Sequence, residues 1–374
     1  MAGRQGALEE MDLSRSFGGV YSGCRVLVTG HTGFKGSWLA FWLHHLGARV
    51  HGLALDPGTQ PCHWDLLGLD IEESRIDLRD ARAVHEAVRR ADPEIVFHLG
   101  AQALVRRSYA DPVETFSTNV IGLVNLLEAL RQSPRVRAVV NATTDKCYEN
   151  DGRLQGYREV DPLGGYDPYS ASKACAEIVS ASWRRSFLGH ASSGRILLAT
   201  ARAGNVVGGG DWAADRLVPD LVRGAVAGKP TPVRCPAAVR PWQHVLDPLS
   251  GYLELGRRLL AGDLQAQGAW NFGPLPEHAL SVEQVVRRLA DHWPEISAEG
   301  DGRPHPHEEA ALTLDCRKAR LELGWEPVWS DDRLWRRTAL WYQAHAQGRA
   351  LQTPDDLQAF VADAGSAGRS WCNA

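Results

Sequence analysis

Two residues in the stretch "YSASK", Tyr169 and Lys173, are spaced so that they share one face of a helix. An ammonium group beside a phenol favours the phenolate and would lower the phenol's pKa. A tyrosine prepared in this way can take the proton of an alcohol while a hydride leaves the same carbon. Since YxxxK pairs also occur by chance on solvated helices, the pair needs support from the rest of the chain.

A second set of reactive side chains, Thr144, Asp145 and Lys146, follows an apolar run in "NATTDKCYEN". An acid can protonate a leaving hydroxyl, and a neutral amine can remove a proton from carbon. Lys146 has a second possible role, the electrostatic stabilisation of an enolate with water as the base. The structural alternative for the triplet is a strand end followed by a polar turn.

The glycines at 30, 33 and 36, in "GHTGFKG", stand between a predicted strand and a predicted helix and enclose Phe34 and Lys35. Glycines at such a crossover let the backbone approach a pyrophosphate, and the helix N-terminus offers free N–H groups. Gly30, Gly33 and Gly36 therefore predict a dinucleotide site, although the spacing is not the usual GxGxxG.

Acidic residues at the end of the second predicted strand and beyond it extend this site. Asp56 ends the second strand, where a carboxylate can bind the adenosine ribose and favour NAD over NADP. Its alternative role is a turn cap before Pro57. Asp77, and less strongly Arg79, are predicted at the adenine end of the cofactor.

The elements that position these residues alternate along the first 208 residues. Apolar runs predict strands, and amphipathic runs predict helices. The predicted strands are 24–30, 48–56, 94–101, 136–143 and 194–208, and the predicted helices are 34–47, 80–91, 115–133 and 168–187. This alternation predicts an α/β fold, a Rossmann-type doubly wound parallel sheet with a smaller C-terminal α/β substrate-binding subdomain.

The domain boundaries follow from where the alternation stops. The predicted units are a loose leader (1–22), an NAD-binding domain (23–204), a substrate-binding subdomain (205–350) and a loose tail (351–374). Segments near 242–250 and 269–274 are predicted to return to the first domain, with strands at 244–247 and 269–273. Helices are predicted at 281–293 and 332–346.

Composition excludes several classes of function. The chain has 374 residues, 44% of them apolar, a net charge of -4 and a pI near 6.4. This balance gives no electrostatic reason to expect nucleic acid or a membrane surface. Seven scattered cysteines without a CxxC pair indicate a reduced, cytoplasmic protein. No apolar run approaches the roughly 18 residues of a membrane span, and no signal peptide is apparent.

Longer blocks in the same order resemble a known family. They run over about residues 24 to 330 and read "GHTGFKGSW", "HLGAQALVRRSY", "TTDKCYEN", "GGYDPYSASK", "RAGNVVGGGDW", "RPWQHVLDPLSGY" and "WNFGP". The chain resembles the extended short-chain dehydrogenase/reductases, and more narrowly the CDP-glucose branch of their sugar-nucleotide 4,6-dehydratases. The resemblance implies NAD as cofactor, a CDP-sugar as substrate and a homodimer, or a higher homo-oligomer, formed through helices 115–133 and 168–187.

The resemblance also implies roles for the reactive residues. Tyr169 would act at C4 of the sugar with Lys173, which also holds the nicotinamide ribose. Thr144 would bond the C4 oxygen region, Asp145 would be the acid at C6, and Lys146 the base at C5. Most sugar-nucleotide dehydratases have glutamate in place of Lys146, so the lysine favours the CDP branch.

Further polar residues are predicted to bind the sugar nucleotide. Asn205 and His307 are implied by the resemblance, and Arg234 and Arg240 can clamp a diphosphate. The remaining candidates are Gln102, Arg106 and Ser108 for the sugar, and Asn271 and Arg303 for the phosphates. His305, His307 and Glu308 are close in sequence, but the prolines around them and the lack of a third cluster argue against a metal.

Three alternatives remain. A 4-epimerase on the same fold would share Tyr169 and Lys173 but would not need an acid and a base at 145 and 146. A dehydratase of a GDP-, UDP- or dTDP-sugar should have glutamate at 146. A non-catalytic NAD-binding regulator would not need the reactive residues at all.

Overall fold

A seven-stranded parallel sheet forms the centre of the protein in a computed structural model that describes residues 13–153, 155–189, 196–275, 278–302 and 312–372. Its spatial order is β11-β6-β5-β4-β1-β2-β3, and every neighbouring pair is parallel. The strands of this sheet are β1 (Arg25–Thr29), β2 (Arg49–Ala54), β3 (Glu72–Arg75), β4 (Ile95–His98), β5 (Ala138–Ala142), β6 (Leu197–Ala203) and β11 (Gly268–Phe272). The order confirms the predicted doubly wound fold.

Helices cover both faces of the sheet because its strands are apolar on both sides. Val26 and Val28 of β1 face one buried cluster, whereas Leu27 between them faces another. The helices are α1 (Phe34–His45), α2 (His63–Leu67), α3 (Ala81–Ala91), α4 (Val105–Ala110), α5 (Pro112–Phe116), α6 (Gly122–Arg131), α7 (Pro168–Trp183), α8 (Leu217–Ala227), α9 (Leu246–Leu260), α10 (Val282–Ala290), α11 (Asp331–Ala346) and α12 (Thr353–Ser366).

Short strand pairs lie after the main alternation, in the region predicted to bind substrate. They comprise β7 (Val206–Val207) with β10 (Gln243–His244), β8 (Thr231–Val233) with β13 (Ala298–Gly300), and β9 (Val239–Pro241) with β12 (Ala279–Ser281). Strand β11 returns to the main sheet beside β6, as predicted. The proposed boundary near residue 205 stays a prediction.

Two of the predicted elements need correction. The strand predicted at 244–247 is only Gln243–His244, and the apolar residues that follow have helical spacing and form α9. The helix predicted at 115–133 begins at Pro112 and contains one π-helical turn, Ser117–Ile121, between α5 and α6. No described helix is long and apolar enough to cross a membrane.

The predicted loose ends are wrong where the structure describes them. Phe17 is fully buried, and its ring stacks on Trp371 with centroids 4.9 Å apart. The tail forms α12, whose Leu357 and Phe360 enter the core. Both ends are ordered because each buries large apolar side chains against the other. Residues 1–12 lie outside the described part of the chain.

Candidate active site

One cleft of about 870 Å³ brings most of the predicted site residues together. It lies where the main sheet's carboxyl ends meet the segments after β6, the position at which ligands bind in open α/β sheets. The predicted residues that line it are Gly30, Gly33, Phe34, Lys35, Gly36, Asp77, Arg106, Thr144, Asp145, Lys146, Tyr169, Lys173, Asn205, Arg234 and Arg240.

The glycine loop forms one end of the cleft. Gly30 has φ +74°, and a Cβ there would lie 2.7 Å from the backbone nitrogen of Gly100. A Cβ on Gly36 would overlap the carbonyl oxygen of Gly30. Helix α1 begins after Gly33 with no side-chain cap, so its first N–H groups are left for a ligand. This cradle fits the pyrophosphate of a dinucleotide.

The two acids predicted at the cofactor differ in position. Asp77 lines the cleft, and the Arg79 guanidinium donates to its carboxylate at 2.6 Å, which lowers the pKa of Asp77. Asp56 lies beyond the end of β2 with its side chain 90% exposed and its carboxylate 4.0 Å from Arg75. It does not line the cleft, and its ribose role stays a prediction.

Helix α7 presents Tyr169 and Lys173 to the cleft. Asp167 caps the helix by accepting from the backbone N–H of Ser170 at 3.0 Å. The Lys173 ammonium donates to the carbonyl oxygen of Ala142, at the end of β5, at 3.2 Å. Both side chains are buried and line the cleft, so α7 brings the two predicted residues to the same site.

The predicted effect of Lys173 on the phenol is not seen. Burial raises the pKa of Tyr169 to about 12, although a hydrogen bond with Thr144 and the charge of Arg216 both lower it. Burial likewise lowers the pKa of Lys173 to about 8, because it outweighs the negative charge of Glu177, which acts to raise that pKa. The sequence argument for a lowered phenol pKa is wrong because it leaves out desolvation.

The triplet lies directly opposite this pair. Residues Asp145–Cys147 form a 3-10 turn immediately after β5 and Thr143–Thr144. The Thr144 hydroxyl donates to Oδ1 of Asp145 at 2.9 Å, and Thr144 also bonds the Tyr169 phenol. Asp145 is 2% exposed, whereas Lys146 is half-buried at the cleft wall. An acid, a hydroxyl and a phenol are therefore contiguous.

Sequence reasoning missed a cation beside Tyr169. Arg216 lines the cleft, donates to Asp211 at 2.8 Å and lowers the pKa of Tyr169. The pKa of Lys35 is lowered to about 7, mainly by burial and further by the positive charges of Lys173 and Arg216. The signal in the sequence was the polar run "GGGDWAADR" after the strand that became β6.

The outer part of the cleft contains more arginines. Arg106 donates to Asp215 at 2.7 Å, and Arg234 donates to the carbonyl oxygen of Asp215 at 3.3 Å. Arg240 donates to the carbonyl oxygen of Val239 at 3.0 Å and lines the same cleft. These guanidinium groups make this part of the cleft suited to a diphosphate.

Three residues predicted to bind substrate do not line the cleft. Gln102 donates through Nε2 to Thr115 at 2.9 Å, and Ser108 donates to the carbonyl oxygen of Val105 in its own helix at 2.6 Å. Asn271 is fully buried and accepts from the Tyr148 hydroxyl at 2.8 Å. Their polar groups hold neighbouring elements in place, and their substrate-binding role stays a prediction.

The predicted histidine block cannot be compared with the cleft. Arg303, His305, His307 and Glu308 lie outside the described residues. Within the described ranges, no group of three histidine, cysteine, aspartate or glutamate side chains is placed to hold a metal ion.

Comparison with known proteins shows that this chain is similar to sugar-nucleotide 4,6-dehydratases. A family model described as GDP-mannose 4,6 dehydratase matches residues 27–338. A CDP-glucose 4,6-dehydratase of Salmonella typhimurium is 48% identical over 336 residues, which cover 88% of this chain and 94% of that protein.

Solved structures agree with this comparison. A dTDP-glucose 4,6-dehydratase, DesIV of Streptomyces venezuelae, solved with NAD bound, has a TM-score of 0.72 and 26% identity over 87% of this chain and 98% of its own. A UDP-glucose 4-epimerase of Thermus thermophilus in complex with NAD has a TM-score of 0.72 and 27% identity, covering 85% of this chain and 98% of its own.

Proposed function

Since the chain belongs to the GDP-mannose 4,6-dehydratase family of extended short-chain dehydrogenase/reductases, we propose that it converts CDP-D-glucose to CDP-4-keto-6-deoxy-D-glucose. The observation that carries the proposal is the contiguous arrangement of Asp145, Thr144 and Tyr169, with Lys146 at the same wall of the cleft. An acid beside an alcohol-activating tyrosine is what an elimination coupled to oxidation requires.

NAD is the cofactor that the cleft fits. The loop at Gly30 and Gly36 leaves room for a pyrophosphate, and the start of α1 supplies N–H donors. Lys173 lines the same cleft, and we assign it to the nicotinamide ribose. Bound there, NAD would supply the hydride acceptor for the oxidation at C4 and the hydride donor for the reduction at C6, so none would be consumed.

The first step, oxidation at C4, uses residues of helix α7. Tyr169 takes the proton of the C4 hydroxyl, and the C4 carbon becomes a ketone. A phenol with a pKa near 12 is a weak acid, so the positive charges beside it have to stabilise the phenolate. Arg216 supplies positive charge beside the phenol, and Lys173 lies one helical turn further along α7. Thr144 bonds the phenol and lies where it can bond the C4 oxygen region.

The second step, elimination of water across C5 and C6, uses Asp145 and Lys146 of the triplet. Once C4 is a ketone, the hydrogen on C5 is acidic because it lies α to a carbonyl group. Lys146 removes this proton, and Asp145 donates a proton to the C6 hydroxyl, which leaves as water. When a hydride is added at C6, Lys146 returns the proton to C5. Asp145 is buried, and Thr144 donates a hydrogen bond to it at 2.9 Å, so the carboxyl group has a fixed orientation.

Two observations support CDP-glucose over other sugar nucleotides. Identity to the Salmonella CDP-glucose 4,6-dehydratase is 48%, whereas a probable dTDP-glucose 4,6-dehydratase of Sinorhizobium fredii is 28% identical. Lys146 stands where the resemblance expects glutamate in the other dehydratases. A 4-epimerase would need neither Asp145 nor Lys146.

The nucleotide is assigned to the arginine-rich part of the cleft. We assign Arg234 and Arg240, which line the cleft, to the diphosphate, and Asn205 follows β6 at the cleft wall. Arg106 pairs with Asp215, the residue whose carbonyl oxygen accepts from Arg234. Planar guanidinium groups bind phosphate oxygens in pairs, which fixes the direction in which the sugar enters.

A homodimer through α5, α6 and α7 is part of the proposal. These helices and the π-helical turn between α5 and α6 expose apolar side chains to solvent: Val113 is 77% exposed, Ile121 52% and Ile178 57%. Such a patch on otherwise amphipathic helices is typical of a protein interface. Light scattering of the purified protein should give twice the chain mass, and Ile178→Asp should give the monomer.

The proposed location is the cytoplasm. All seven cysteines are free thiols, and four of them, Cys24, Cys62, Cys147 and Cys316, are buried. Burial raises the pKa of Cys147, which keeps its thiol protonated and unreactive. A set of buried free thiols suits a reducing compartment.

Product analysis tests the proposed reaction. Purified protein is incubated with catalytic NAD and, in parallel, with CDP-, UDP-, GDP- and dTDP-glucose. The expected result is loss of one water from CDP-glucose, seen by mass spectrometry, with no net NADH. An isobaric product inverted at C4 would mean an epimerase, and turnover of none of the four sugars would overturn the proposal.

A further inference from the structure

A buried carboxylate that the proposed reaction does not use lies beneath the triplet. Glu177 is 4% exposed, and its Oε1 accepts from the Thr143 hydroxyl at 2.5 Å. Its Oε2 accepts from the Thr200 hydroxyl and from the Arg202 guanidinium, both at 2.8 Å. Arg202 is 3% exposed, so the charge of Glu177 is compensated inside the protein.

Glu177 and Lys173 hold consecutive residues of one segment. They are separated by one turn of α7 and share a face. Lys173 donates to the carbonyl oxygen of Ala142, and Glu177 accepts from the side chain of Thr143. Thr143 directly precedes Thr144, so the helix that carries Tyr169 also holds the start of the segment that carries the acid.

The same ion pair holds the other end of the segment. Arg202 donates through Nη1 to the hydroxyl of Tyr148 at 2.7 Å, and Tyr148 donates to Asn271 at 2.8 Å. Thr143 and Tyr148 flank Thr144, Asp145, Lys146 and Cys147 on either side. The buried pair Glu177–Arg202 therefore fixes the segment 143–148 at both ends.

We propose that Glu177 is a positioning residue for the reaction: through Thr143 it sets the position of Thr144 and Asp145 relative to Tyr169. The inference rests on the proposed function, because Tyr169 and Asp145 act on nearby carbons of one sugar. A displacement of about 1 Å between such groups can lower a rate by about 100-fold.

Two isosteric substitutions separate positioning from stability. Thr143→Val and Thr200→Val each replace one buried hydroxyl that donates to the same carboxylate, and the two threonines are 5% and 1% exposed. Only Thr143 continues into the triplet, since Thr200 belongs to β6. Thr143→Ser restores the hydroxyl and serves as the rescue.

The expected results concern kcat, KM and unfolding together. Thr143→Val should lower kcat about tenfold or more with KM nearly unchanged, because the substrate still binds but the acid is displaced. Thr200→Val should keep kcat within about twofold while losing comparable stability in guanidinium unfolding. Thr143→Ser should recover most of the wild-type kcat.

Equal kcat losses in Thr143→Val and Thr200→Val would overturn the inference, because they would follow stability alone. An unchanged kcat in Thr143→Val would also overturn it. Both results leave the proposed function intact, since wild-type protein would still dehydrate CDP-glucose. Failure of the wild-type protein to turn over that sugar would instead remove the proposed function itself.

Discussion

Removing residues 353–374 should prevent stable folding, although the sequence of this tail predicts a loose end. Leu357, Phe360, Val361 and Trp371 are between 0% and 5% exposed, and all belong to the main core. Burying one such side chain stabilises a protein by about 1.5–3 kcal/mol, so the four contribute about 6–12 kcal/mol. Total stabilities are about 5–15 kcal/mol, so the loss is of the same size as the whole.

Guanidinium unfolding followed by far-UV circular dichroism measures this effect. A graded variant, Phe360→Ala, should lower the free energy of unfolding by about 3–5 kcal/mol. Its matched control is Val226→Ala, since Val226 is 64% exposed and its truncation should change that energy by no more than about 0.5 kcal/mol. A truncated chain with the same unfolding midpoint as the full-length protein would refute the reasoning.

Three further predictions concern the active site and the core. Asp145→Asn should lower kcat for dehydration by about 10²–10⁴-fold, because the acid at C6 is lost. Since oxidation at C4 does not use this acid, CDP-glucose should still reduce NAD, and the absorbance of NADH at 340 nm should rise. No rise would contradict the assigned role. Glu177→Gln removes the charge that raises the pKa of Lys173, which is about 8 in the wild type, so that pKa should fall. If the kcat–pH profile has an alkaline limb set by Lys173, that limb should move to lower pH, and a shift to higher pH would contradict the prediction. Burial raises the pKa of Asp247 to about 7, above its unfolded value, so the wild type loses stability as pH rises from about 4 to 7. Asp247→Asn should therefore become more stable relative to wild type over that range in denaturant titrations, and a pH-independent difference would count against the assignment.

The parts of the fold that were predicted correctly depend on local patterns. Apolar runs and helical spacing located six of the seven strands of the main sheet and many of the helices, because both faces of a parallel sheet are buried. Strand β3 was not predicted, because only Ser74 of its four residues is buried. The glycine loop and the Tyr169–Lys173 pair were found because their chemistry needs a fixed spacing along the chain. The triplet was found because it follows an apolar strand.

The parts that were missed depend on partners far apart in sequence. Asn271 and Tyr148 are 123 positions apart, and Arg106 and Asp215 are 109 apart. A polar residue on its own gives no sign of whether it faces a substrate or a buried partner, so Asn271 was taken for a phosphate ligand. The tail was taken for a loose end because its apolar residues are sparse, although Leu357, Phe360, Val361 and Trp371 are buried in the core.

The central claim is that the hydride removed from C4 returns to C6 of the same sugar. CDP-glucose carrying deuterium at C4 is incubated with the protein and catalytic NAD, and the product is examined by NMR. The account predicts deuterium in the C6 methyl group of a 4-keto-6-deoxy sugar. Deuterium that remains at C4 or is lost to the solvent would contradict it.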